Sequence, residues 1–121
     1  MKISRFFFAI LAAWPFSVAS DEVPRAWLDM SQHDGLVQIE VFSNLKKGLG
    51  GEYQLNVVKS GPSGKSVNRQ SGTVPVSQGE AMGPLSVSRV SLEPDASLSV
   101  TLKVTDKNGS VFEDEKSLMG K

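Results

Sequence analysis

Between Ser97 and Thr105 the chain alternates without a break: Leu98, Val100, Leu102 and Val104 stand between Ser97, Ser99, Thr101, Lys103 and Thr105. Successive side chains of an extended strand point to opposite faces, so this order buries one face and wets the other. Tyr53, Leu55 and Val57 alternate with Gln54, Asn56 and Val58, and Val37, Ile39 and Val41 alternate with Gln38 and Glu40. Helical periodicity is almost absent from residues 21 to 121. Turn signals cut the pattern at His33-Asp34-Gly35, Gly48 to Gly51, Ser60 to Lys65, Glu93-Pro94-Asp95 and Asp106 to Gly109. Glycine supplies the positive φ that tight turns need, and a proline cannot continue a ladder. The spacing predicts seven strands, at about 25–32, 36–44, 52–60, 66–72, 84–92, 96–106 and 110–118. Seven short strands in about 100 residues predict one all-β domain, an immunoglobulin-like antiparallel β-sandwich over residues 21–121. One segment breaks step: Leu85 and Val87 are odd-numbered, whereas Val90 and Leu92 are even-numbered. A one-residue slip would expose one pair, so a β-bulge is expected near Ser88-Arg89.

The first residues read as an export signal. Lys2 and Arg5 precede the apolar run Phe6 to Ala13, and small side chains at Val18-Ala19-Ser20 stand before Asp21-Glu22. The expectation is a signal peptide over residues 1–20, cleaved after Ser20 or Ala19, and a periplasmic mature protein. Pro15 interrupts the apolar run well short of the roughly 20 residues a spanning helix needs. Lys2 and Arg5 leave with the leader, so the 13 basic and 13 acidic residues of the chain become 11 against 13. No basic field for nucleic acid remains. Cysteine is absent, which removes disulfides, thiol nucleophiles and thiolate metal sites and leaves packing alone to hold the fold.

Catalytic patterns are wanting. The one histidine, His33, lies in a turn beside Asp34, where neither a metal site nor a Ser/His/Asp triad is expected. Glu113-Asp114-Glu115 puts Glu113 and Glu115 on one strand face and Asp114 on the other, which suits an acidic edge strand better than a carboxylate pair or a calcium site. The GKS at Gly64-Lys65-Ser66 lacks the spacing of a phosphate loop. Trp27 and Tyr53 are the aromatics a carbohydrate-binding module could use; Tyr53 alternates with polar Glu52 and Gln54 as a core residue does, and Trp27, between Ala26 and Leu28, is likewise expected in the core. The reading is therefore a protein without catalytic residues, metal or cofactor, acting as a monomer. If the Gln54 strand lies beside the Ser97–Thr105 strand, then Gln54, Asn56, Val58, Ser99, Thr101 and Lys103 form one polar face. The candidate binding residues are Lys59, Arg89 and Lys103 for electrostatic steering, with Gln54 and Asn56 as hydrogen-bonding groups. Arg89 enters because side chains are re-aimed at a bulge.

Several stretches carry a resemblance. They are Gly51-Glu52-Tyr53-Gln54-Leu55 running into Val57 to Gly61, Gln70-Ser71-Gly72, Val74 and Val76, Gly79-Glu80, Ser88 to Pro94, and the Leu98–Asp106 strand followed by Asn108-Gly109. In order and spacing they resemble the periplasmic curli-inhibitor family (the CsgC/CsgH type), most of all its alphaproteobacterial branch, over about two thirds of the mature chain. The resemblance implies a seven-stranded immunoglobulin-like fold, a periplasmic location, and an activity of holding curli amyloid subunits soluble before secretion. Some members carry a Cys-x-Cys pair that is absent here, so a redox role does not transfer. The rival reading is a fimbrial or cell-envelope structural module joined to its partners by strand exchange.

Overall fold

The structure, a computed structural model, describes residues 25–120. The expected leader over residues 1–20, and the start of the domain at residue 21, lie outside the described residues. Seven strands follow one another: β1 (Ala26–His33), β2 (Leu36–Ser43), β3 (Gly51–Gly61), β4 (Gly64–Val74), β5 (Met82–Ser91), β6 (Ser97–Asp106) and β7 (Val111–Met119). They form two antiparallel sheets, a smaller one of order β1-β2-β5 and a larger one of order β4-β3-β6-β7. Every strand falls within a few residues of its predicted span, because each turn signal coincides with a real reversal. Asp34 and Gly35 at the β1–β2 turn and Asp95 before β6 all take positive φ.

The core lies between the sheets and is built from the alternating aliphatics. Leu28, Val37, Ile39 and Val41 of the smaller sheet face Leu55, Val57, Leu98, Val100, Leu102 and Val104 of the larger one, and none of them is more than 5% exposed. Each such side chain contributes roughly 1.5–3 kcal/mol relative to leaving it in water. No cysteine helps, so these side chains and their neighbours carry the stability.

Two expectations are corrected. No bulge occurs at Ser88-Arg89: β2 and β5 pair regularly from Leu36↔Ser91 to Val41↔Ser86. The irregularity lies nearer the start of β5, where the pairing passes from Val41↔Ser86 to Ser43↔Met82 and Gly83, Pro84 and Leu85 are taken up opposite Phe42. Gly83 has a φ of 150°, and a Cβ there would collide with the Phe42 ring. The aliphatics of β5 do not all mark its inner face. Beyond the irregularity the inner residues are Ser86, Ser88 and Val90, while Val87 is turned out and 46% exposed. The inner serines are tolerated because Gln70 of β4 meets them: its Nε2 donates to Ser88 Oγ at 3.1 Å, and Ser86 Oγ donates to its Oε1 at 3.3 Å.

The second correction concerns Trp27. Ala26 and Leu28 occupy the inner face of β1, so Trp27 lies on the outer face of the smaller sheet. There it stacks on its cross-strand partner Phe42 at 5.5 Å between ring centroids. Tyr53 does pack against the core, with its ring lying over Gly72 of β4.

Candidate interaction surface

The regular pairing of β3 with both neighbours assembles the outer face of the larger sheet row by row. Ser71, Gln54, Lys103 and Glu113 form one row across β4, β3, β6 and β7. Arg69, Asn56, Thr101 and Glu115 form the next, followed by Val67, Val58, Ser99 and Ser117. The polar face expected from sequence is thus a contiguous surface, since Gln54 pairs with Lys103, Asn56 with Thr101 and Val58 with Ser99. Hollows mark it, among them one lined by Gln54, Asn56, Arg69, Gln70 and Ser71 and another by Glu52, Gln54, Lys103 and Thr105. The face carries both signs: Lys65 and Arg69 stand on β4 and Lys103 on β6, while Glu52 of β3 shares a hollow with Lys103, and Glu113, the cross-strand partner of Lys103, stands with Glu115 on β7. Among the described residues no ion pair immobilises Arg69 or Lys103, so both cations are available to a partner.

The five sequence candidates fall in three places. Gln54, Asn56 and Lys103 share the face just described. Lys59 does not, because it is on the inward-facing set of β3. Its Nζ crosses the gap between the sheets and donates to Ser91 O of β5 at 3.0 Å. Arg89 lies on the outer side of the other sheet, directly across from Gln38 on β2. The residue that sequence reading missed is Arg69, which sits opposite Asn56. Gly61 and Gly64 pair around the two-residue turn Pro62-Ser63. Counting back from a two-residue hairpin at Gly61-Pro62-Ser63-Gly64 would have placed Arg69 there.

Asp114 has a second task beyond edging the sheet. It lies on the inner face of β7, and its Oδ2 accepts a hydrogen bond from the Leu28 N–H of β1 at 2.8 Å. Asp114 and Gln70 therefore close the two open sides of the sandwich, one on each flank of the larger sheet. His33 and Asp34 form an exposed pair at 3.3 Å in the β1–β2 turn, far from this surface in the fold.

No protein-family model matches the chain, and no curated protein matches its sequence. Two solved structures match its shape. The Escherichia coli curli protein CsgC superposes with a TM-score of 0.64 at 16% identity, covering 77% of this chain and 97% of that one. The solution structure of Rhodopseudomonas palustris CsgH gives a TM-score of 0.56 at 16% identity, covering 78% of this chain and 90% of that one. The seven-stranded sandwich of this protein has the fold shared by CsgC and CsgH.

Proposed function

We propose that this protein is a non-enzymatic, chaperone-like binder in the periplasm that holds curli amyloid subunits from polymerising before they are secreted. The observation that carries the reading is the shared fold with a curli protein along nearly the whole of that protein's length. The chemistry of the larger sheet's outer face supports it. Amyloid subunits assemble by pairing strand edges and stacking amide side chains. A rigid sheet presenting Gln54, Asn56, Arg69 and Lys103 offers such a segment hydrogen bonds and charge without an apolar groove. Binding of that kind is weak and reversible, which suits a client that must be released intact. The structural-module alternative calls for an incomplete sandwich awaiting a donor strand, and here all seven strands are paired.

Fibre-formation kinetics of a curli subunit test the proposal. Wild type is expected to lengthen the lag phase at substoichiometric amounts. The effect should shrink as salt shortens the Debye length to about 8 Å at physiological ionic strength. Lys103→Glu should shorten the lag towards that of the subunit alone, whereas Arg89→Glu, on the opposite sheet, should leave it unchanged. A wild-type protein without effect on the lag at any salt concentration overturns the reading.

A further inference from the structure

A sandwich of two open sheets has four strand edges, and in this one they are unequally protected. On β1 the outward Leu28 N–H is occupied by Asp114. On β5 the outward Ser91 carbonyl accepts from Lys59, and pairing is interrupted at Gly83-Pro84. On β7 the outward positions include Glu113 and Glu115, an acidic edge of the sort that deters pairing. The edge of β4 has no occupied backbone group and no interruption, and its outward charges, Lys65 and Arg69, are basic, so they deter basic or self-pairing strands but not uncharged or acidic ones.

The hydrogen-bond alternation shows what β4 offers. Lys107 N–H donates to Gly50 O at 2.9 Å, so the even-numbered residues of β3 exchange hydrogen bonds with β6 and its odd-numbered residues with β4. The odd-numbered residues of β3 pair with even-numbered residues of β4. Lys65, Val67, Arg69, Ser71 and Thr73 consequently turn their N–H and C=O groups away from the sheet. This row runs for about 27 Å with no proline and no bulge. The inner side of the strand carries Ser66, Asn68 and Gln70 with no charge, and the outer side carries Lys65 and Arg69.

We infer that the free edge of β4 docks an extended, uncharged-to-acidic polypeptide segment, which adds to the larger sheet as a fifth strand. Backbone pairing supplies the affinity, as in other strand-addition complexes, and Arg69 and Lys65 select against basic segments. The same two cations disfavour antiparallel pairing of β4 with β4 of a second copy. The inference deepens the client-binding reading and rests on it for the identity of the partner, but not for the geometry.

Two experiments separate the claims. Val67 has an outward N–H, so Val67→Pro removes a docking donor without removing a β3–β4 hydrogen bond. In the fibre assay Val67→Pro is expected to reduce the lag extension at least fivefold. The second experiment uses a ten-residue peptide of alternating Thr and Gln carrying two Glu, followed by amide hydrogen exchange of the wild-type protein. The peptide should slow exchange at Val67, Arg69 and Ser71. A version N-methylated at alternate amides should not, and a version with Lys in place of Glu should bind several-fold more weakly. If wild type and a folded Val67→Pro delay fibres equally, β4 docking is wrong while client binding stands. If no protein delays fibres but the Glu peptide protects the β4 amides, docking stands and the client reading falls. Protection that grows with protein concentration alone, without peptide, would mean that a second copy of the chain is the occupant, and overturns the inferred partner.

Discussion

Leu102 shows how much one position carries. It is fully buried, sits across from Leu55 on β3, and belongs to the row that faces the smaller sheet. Leu102→Ala is expected to lower the free energy of unfolding by roughly 2–5 kcal/mol, because a cavity adds to the lost transfer energy. A domain of this size has about 5–15 kcal/mol in all, so a urea titration should show a large fall in midpoint at constant slope. A change below about 0.5 kcal/mol would contradict the packing. Lys59 and Asp114 make a different point. Both are charged residues on strands, and such residues ordinarily face water. Here each reaches across to the opposite sheet and satisfies a backbone group on an edge strand. Their charge alone told nothing of this, since the partner backbone belongs to a segment distant in the chain.

Among the elements, the β3–β4 hairpin decides both stability and surface. Its eleven pairs run from Gly61↔Gly64 to Gly51↔Val74 without a shift. At its far end Tyr53 covers Gly72, where an added Cβ would come within 2.7 Å of the tyrosine ring. An aromatic laid over a cross-strand glycine pins the register of an edge strand. Gly72→Ala is therefore expected to displace the Tyr53 ring and cost about 1–3 kcal/mol, as overpacking does. Thermal denaturation followed by tyrosine fluorescence or circular dichroism would measure it, and an unchanged melting temperature would show that the ring is not held there. The period-two pattern located β3 and β6 because each buries one face of aliphatics. It was silent on β4, whose residues from Gly64 to Arg69 are exposed on both faces. For β5 it misled, because a glutamine on the neighbouring sheet allows serines to face inward.

Across the whole molecule the two sheets are joined by an apolar centre and two polar flanks. Gln70 closes the β4–β5 side and Asp114 the β7–β1 side. With strands about 4.8 Å apart, the edges of a four-stranded sheet lie roughly 14 Å from each other. Sites that distant, with no shared partner, should behave independently. Gln70→Ala and Asp114→Ala are each expected to lower stability by about 0.5–2 kcal/mol, and the double variant by their sum within about 0.5 kcal/mol. Chemical denaturation of the four proteins in the cycle checks this. A coupling well above 1 kcal/mol would mean that the sheets shift as a body when one flank opens.

The strands, their turns, the class of fold and the aliphatic core follow from the sequence alone, because alternation and turn chemistry are local and each residue reports its own preference. The face uniting Gln54, Asn56 and Lys103 was also readable, since two regular strands with one hydrophobic face each can pair in few registers. Tertiary structure decided where the remaining polar and aromatic side chains went. Lys59 was drawn to a carbonyl on the opposite sheet, Arg89 was placed on the far side of the sandwich, and Trp27 was turned outward onto Phe42. Arg69 joined the candidate face through the β3–β4 hairpin, whose Gly61–Gly64 turn is a local signal. The placements of Lys59 and Arg89 depend on which strand lies where in the two sheets, a long-range relation that no local pattern in the chain encodes.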